Sequence, residues 1–197
     1  MKNKVQPYLT DAEVKDILRQ PDRTTARGKR DYAILLLMLS TGLRRDELCR
    51  LKRSDLKREK NKVWLYVWGK GGKQRRIPIS SRELVTAIWH YWATTPWEPS
   101  GGLPLFARVA SHPSQPPQPI TWETVRWVVS KYARLAKISK PIHPHSLRHT
   151  FITRTLQRSG DLVAVKALAG HSSIRSTEVY LHTDEERMER AIARLGL

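Results

Sequence analysis

From Ala33 to Leu39 every side chain is apolar, inside a stretch between Arg27 and Ser40 that has the length of a helix. A helix that is apolar all round belongs inside a protein or inside a membrane. The longest apolar run, Tyr32 to Leu39, is too short to cross a bilayer. The segment is therefore predicted as a central core helix, and Gly42, placed just past its end, stops it. A chain of 197 residues can cover such a helix without disulfides or metals. Its one cysteine, Cys49, excludes an intramolecular disulfide and fits a reducing cytoplasm.

The rest of the chain reads as partners for that helix. Thr10, followed by Asp11 and Glu13, has the form of a capping box, so a first helix is predicted to run to Arg19 before Pro21. Arg45 to Leu51 reads as a short helix. Val63, Leu65 and Val67 alternate with Trp64, Tyr66 and Trp68, and Ile77 and Ile79 alternate again beyond a tip of Gly69 to Lys73, which predicts a β-hairpin. Further helices are expected over Ser81–Trp92, from Thr121, and over His145–Arg158, Leu162–Ala169, Ser176–Leu181 and Glu185 to the end. Seven of the 12 prolines lie between Pro96 and Pro119, so 96–119 is expected to be an irregular surface loop. The expected architecture is mainly α with a small antiparallel β-sheet, an α+β fold, in a single domain spanning 1–197. The tryptophans, seven in all, are expected mostly in the core, with Trp64 and Trp68 on the same face of one strand.

Charge narrows the function. Lys and Arg number 36 against 18 for Asp and Glu, a formal charge of +18, so a polyanionic partner is the first explanation. Neither a secretory signal nor a lipid anchor is recognisable near Met1. Nucleic acid is thereby favoured over membrane. Charge alone suits equally a ribosomal or histone-like protein that coats nucleic acid.

Five stretches break that tie: Thr41-Gly42-Leu43-Arg44-Arg45-Asp46-Glu47-Leu48, Gly69-Lys70-Gly71-Gly72-Lys73, His145-Ser146-Leu147-Arg148-His149, Ala169-Gly170-His171 and Thr177-Glu178-Val179-Tyr180. Together, in this order, they strongly resemble the tyrosine recombinase, or phage integrase, family, over roughly residues 7 to 190. The resemblance implies that family's catalytic-domain fold. It also implies a site of Arg44, Lys70, His145, Arg148 and His171 around the nucleophile Tyr180, with Glu47 orienting Arg44 from one helical turn away. The implied activity is site-specific cutting and rejoining of double-stranded DNA, by a homotetramer on DNA that is free to be a monomer otherwise.

The chemistry asks for the same residue types. Displacement at a phosphodiester loads negative charge onto the non-bridging oxygens, which the planar forks of Arg44 and Arg148 can each grip twice. A phenol with an ordinary pKa of about 10 is a poor nucleophile at neutral pH, so Tyr180 needs cations and a base, for which His145 is the candidate. The departing 5′-oxygen needs a proton, and Lys70 on a glycine-rich tip suits that role. His171 is expected to donate to the same phosphate. Neither metal nor other cofactor is expected, since arginines do the work of divalent cations and the phosphotyrosine keeps the energy of the broken bond.

Duller readings stand beside these. Tyr180 in isolation reads as a packing residue. His145 and His149 have the spacing of a helical metal pair, but no carboxylate or thiol lies near and Arg148 sits between them, so His149 is read as structural and His143 as a loop residue. Arg45, Lys73, Arg75 and Arg76 are expected to bind backbone phosphates, which leaves Lys70 in competition with its basic neighbours. The stripe of Met188, Ile192 and Leu195, within an expected helix at 184–197, can cover its own domain or dock on a neighbouring protomer. The family usually carries a DNA-clamping domain before the catalytic one; none is expected within 1–197, which reads either as an excised fragment or as a naturally short recombinase. The readings that compete with recombination are a type IB topoisomerase and a DNA-binding protein that has lost the reaction.

Overall fold

A computed structural model describes residues 7–69, 72–97, 101–108 and 115–170. Its chain order is α1 (Asp11–Arg19), α2 (Ala26–Thr41), α3 (Arg45–Arg50), a 3-10 turn (Arg53–Asp55), β1 (Leu56–Glu59), β2 (Lys62–Trp68), β3 (Gln74–Ile79), α4 (Arg82–Trp92), α5 (Trp122–Leu135), α6 (Pro144–Ser159) and α7 (Leu162–Ala169). The expected fold class is therefore the observed one. The helices predicted at Ser176–Leu181 and Glu185 onward, the stripe of Met188, Ile192 and Leu195, and Lys70, His171 and Tyr180 lie outside the described residues.

The axis of the core is α2. Thr25 caps its start by accepting from the Gly28 N–H, and Gly42 ends it in the left-handed conformation at φ 62°. Every residue from Ala33 to Leu39 is buried, because α1, α4, α5, α6 and β3 all pack against this one helix. A side chain at Gly42 would be strained by that φ and would also run into the Phe151 ring. The glycine thus lets α6 close on the end of α2.

At the other end of α2 a buried ion pair joins three elements. Arg30 donates through Nε and Nη2 to Oδ1 of Asp31 at 3.0 and 2.8 Å, and through Nη1 to the Ala107 carbonyl at 3.2 Å. Tyr132 on α5 donates to the other Asp31 oxygen at 3.1 Å.

The sheet is an antiparallel meander in the order β1-β2-β3, with Leu65 opposite Ile77 and Val63 opposite Ile79. Leu65, Val67, Ile77 and Ile79 form its buried face. Strand β1 was not expected from the sequence. It has four residues, Leu-Lys-Arg-Glu, without a buried member, the kind of short charged edge that resists pairing with other chains.

Two further expectations are corrected. The proline-rich segment is not a surface excursion throughout: Leu105, Phe106, Ala107 and Ile120 are buried. Bridges Lys52↔Pro104 and Ala107↔Pro119 pin it in place, as do bonds from the Leu105 N–H to Leu51 O and from the Ile120 N–H to Phe106 O. Proline prevents regular structure there without preventing burial.

The tryptophans are not core residues. Trp68, Trp89, Trp122 and Trp127 are 53%, 59%, 43% and 48% exposed, and Trp64, Trp92 and Trp97 are only partly covered. For four of them a strongly basic surface supplies the reason: Arg76 lies over Trp64, Arg53 over Trp92, Arg45 over Trp122 and Lys131 over Trp127, all within 5.1 Å of the ring centroids. A ring that holds a cation gains an attraction without leaving the surface.

Candidate active site

The site begins where α2 ends. After Gly42 the chain turns, Leu43 is buried, and Arg44 caps α3. Glu47, in the first turn of α3, reaches back to the Arg44 N–H at 2.8 Å through Oε2 and takes Nη1 of the Arg44 side chain at 3.0 Å through Oε1. Glu47 thus holds both the backbone and the side chain of Arg44. Arg44 stays exposed while Glu47 is buried.

Helix α6 supplies the opposite wall. Pro144 at its first position has its fixed φ and missing N–H where a helix tolerates both. His145 and Arg148, three apart, then share one face of the first turns. Arg148 is 3% exposed and donates from Nη1 to Gly42 O at 2.6 Å and from Nη2 to Ala169 O at 2.8 Å. A buried guanidinium that bridges the ends of α2 and α7 is held in a single orientation.

Leu43, Arg44, Arg45, Asp46, Arg126, His143, Pro144, His145 and Arg148 line one cleft of about 480 Å³. Three of the predicted catalytic residues, Arg44, His145 and Arg148, thus come from stretches about a hundred positions apart in sequence and meet at one surface. His145 is kept below the ordinary histidine value of 6.5 by partial burial first, then by the Arg148 and Arg44 charges. Its imidazole is therefore neutral at pH 7 and able to accept a proton.

His149, one turn further along α6, is not among the residues that line the cleft. Its ring is buried, stacks on Tyr8 at 5.7 Å and meets the Thr153 hydroxyl with Nδ1 at 3.2 Å. Burial, with the His145 charge second, lowers its pKa as well. Among the described residues no three His, Cys, Asp or Glu side chains gather where a metal ion could be held.

Both histidines bind protons less readily folded than unfolded. The unfolded chain takes up protons first as pH falls, so stability is complete above 6.5 and declines as pH drops through that value. The melting temperature is expected to fall between about pH 7.5 and about pH 5.5, and to fall less in His149→Gln. Thermal unfolding by circular dichroism at the two pH values checks this; equal slopes would remove His149 from the account.

The basic residues expected to bind phosphate divide. Arg45, Lys73 and Arg76 are exposed, and Arg45 and Arg76 also lie over tryptophan rings. Arg75 does not face outward. Its Nη1 and Nη2 donate to Oε1 and Oε2 of Glu47, both at 2.8 Å, and its Nε donates to Leu168 O at 3.1 Å. Strand parity explains the difference, since Arg75 alternates with Ile77 and Ile79 on the buried face while Arg76 lies on the other. That parity was available in the sequence. Arg126 is a residue that sequence reasoning passed over: it projects from α5 away from buried Val125, Val128 and Val129, and the packing of α5 against α3 and α6 turns its face toward the cleft.

Burial pushes the Glu47 carboxyl upward, but hydrogen bonds from Arg75 and the Arg44 N–H, together with the two guanidinium charges, overcome it and hold the group at about 2. The result is a cationic cleft with rigid forks and a neutral imidazole at its edge, which suits an anionic oxygen group such as a phosphate.

The model of the phage integrase family matches residues 7–187, and the chain belongs to that family. It is 34% identical over 193 residues to the tyrosine recombinase XerC of Bacillus pumilus, a match that takes in 95% of this chain and 60% of that protein. With the tyrosine recombinase XerD of Pseudomonas putida it shares 35% identity over 185 residues, 92% of this chain and 59% of that one. The chain thus spans about three-fifths of the length of these curated relatives. Among solved structures, the XerH site-specific recombinase bound to palindromic difH substrate superposes with a TM-score of 0.80 at 23% identity, over 99% of this chain and 55% of the other. That likeness establishes the tyrosine recombinase catalytic fold.

Proposed function

We propose that this chain is the catalytic part of a site-specific DNA recombinase, which cuts and rejoins double-stranded DNA through a 3′-phosphotyrosine intermediate. The observation that carries the reading is the meeting of Arg44, His145 and Arg148 on one cleft, with Glu47 behind Arg44. Tyr180 Oη attacks phosphorus and gives its proton to His145. Arg44 and Arg148 hold the non-bridging oxygens as charge builds on them, and His171 donates to the same phosphate. Lys70 protonates the departing 5′-oxygen. A DNA 5′-hydroxyl then displaces the tyrosine, so the bond energy is conserved without ATP or metal.

Exposed Arg45, Lys73 and Arg76, and the overall charge of +18, support binding along the DNA backbone. Assembly as a homotetramer on DNA, with the free chain a monomer and the segment 184–197 docking on a neighbour, belongs to the same reading, as does work in the cytoplasm, where DNA is accessible. No described helix is long and apolar enough to cross a membrane.

The test is a covalent adduct on nicked or mismatched DNA duplexes from the host element, resolved on a denaturing gel for the wild type and Tyr180→Phe. Adduct with recombinant joints from the wild type alone supports the reading. Sequence-tolerant relaxation of supercoiled DNA would instead make the protein a topoisomerase, and no adduct would leave a binding protein. If Lys70 is the general acid, Lys70→Ala is expected to cleave a duplex with a 5′-thio leaving group at close to the wild-type rate, because that group needs no proton. A variant that stays slow on the thio substrate would take the role away from Lys70.

A further inference from the structure

Helix α7 ends in three consecutive carbonyls, and a different arginine donates to each. Arg75 on β3 reaches Leu168 O at 3.1 Å, Arg148 on α6 reaches Ala169 O at 2.8 Å, and Arg44 before α3 reaches Gly170 O at 3.0 Å. The last carbonyls of a helix lack partners within it and carry the negative end of its dipole, so cations gather there. Two of these arginines line the cleft and the third, Arg75, does not. Gly170 is shaped for the third one. It lies at φ +64°, and a Cβ on it would stand 2.9 Å from Arg75 Nη1 and 3.0 Å from Cζ, so the guanidinium occupies the space a side chain would fill.

We infer that Arg75 is a positioning residue for strand cleavage, acting on Arg44 through Glu47. The inference rests on the recombinase reading above. Oε1 of Glu47 is shared between Arg44 Nη1 and Arg75 Nη1, while Oε2 takes Arg75 Nη2 and the Arg44 N–H. With Glu47 alone beside it, Arg44 would form a neutral pair. Arg75 supplies the second cation, so the trio carries one net positive charge and Arg44 keeps its attraction for phosphate. The same side chain ties the strand that follows the Lys70 tip to Glu47 of α3 and to the Leu168 carbonyl near the end of α7. With only 14% of its side chain exposed and Nε, Nη1 and Nη2 all donating inside the protein, Arg75 directs its guanidinium inward.

The experiment measures single-turnover adduct formation on a nicked duplex at saturating DNA, together with the salt dependence of DNA affinity, for wild type, Arg75→Gln, Glu47→Gln and the double variant. Assays run below the lowest melting midpoint of the set, so that only folded protein is compared. Arg75→Gln is expected to slow adduct formation roughly 10- to 100-fold, the scale seen for outer partners that orient a reacting group, with the salt slope unchanged. The double variant is expected to react faster than Arg75→Gln, because removing the carboxylate returns the charge of Arg44.

A salt slope lowered by about 0.9, the signature of one lost phosphate contact, with an unchanged rate at saturating DNA would make Arg75 a DNA ligand and overturn the inference. So would a double variant no faster than Arg75→Gln, which would leave Arg75 as a brace of the fold. A wild-type chain that forms no adduct overturns the recombinase reading and this one with it, whereas in the first two outcomes the wild type still reacts.

Discussion

Arg148→Ala is expected to lower single-turnover cleavage by about 10²- to 10³-fold while DNA binding falls far less. That is the cost typically measured when one fixed donor to a developing oxyanion is removed. Arg148 lines the cleft, is buried, and is already oriented before any substrate arrives by Gly42 O and Ala169 O. Such a group stabilises transition-state charge without having to reorganise. Arg45, Lys73 and Arg76 remain to hold the backbone, so affinity persists.

Substitution by lysine is not conservative here. A single ammonium cannot reach two carbonyls and a phosphate in one plane, so Arg148→Lys is expected to recover only a small part of the rate. Both variants should also lose stability, because each carbonyl left without its donor costs about 1–3 kcal/mol. Adduct rates at saturating DNA, measured beside melting curves, separate the two effects. Cleavage within tenfold of wild type by folded Arg148→Ala would remove this residue from the chemistry.

What the sequence disclosed and what it hid follow from range. The all-apolar stretch of α2 forces it to the centre whatever surrounds it, and the glycine after it must take the left-handed turn that brings Arg44 to the surface. Arg44, Glu47, His145 and Arg148 sit within one or two turns of such punctuation, so their placement was legible. Arg75 was read as a phosphate ligand because a cation among cations reads as surface, although its place on the same strand face as Ile77 and Ile79 points it inward.

The buried residues Leu105, Phe106 and Ala107 of the proline-rich segment and the exposed tryptophans were hidden for a different reason. Phe106 is covered because the chain returns through Pro119, and Trp122 stays out beneath Arg45, which a different helix supplies. Both depend on which neighbours tertiary packing delivers, and no local pattern encodes that.

Asp31→Ala is expected to be the most destabilising single change in the core. Asp31 is fully buried and Arg30 is 5% exposed, so the pair is out of water. Removing the carboxylate leaves a buried guanidinium with the Ala107 carbonyl as its one hydrogen-bond acceptor among the described residues and takes from Tyr132 the acceptor of its hydroxyl. Breaking a buried pair from one side typically costs 3–5 kcal/mol, about 3 to 5 in this setting, which for a chain of this size lowers the melting temperature by roughly 10 °C. The damage should be largest where the pair joins α2, α5 and the segment around Ala107, and smallest at the cleft, which lies at the far end of α2. Arg30→Met combined with Asp31→Leu removes both charges and is expected to melt well above Asp31→Ala, since the penalty comes from the uncompensated charge and not from loss of the pair. Melting curves of the single and double variants decide it: a double variant less stable than the single one would mean that the ion pair itself, rather than the avoidance of a lone buried charge, stabilises this end of the fold.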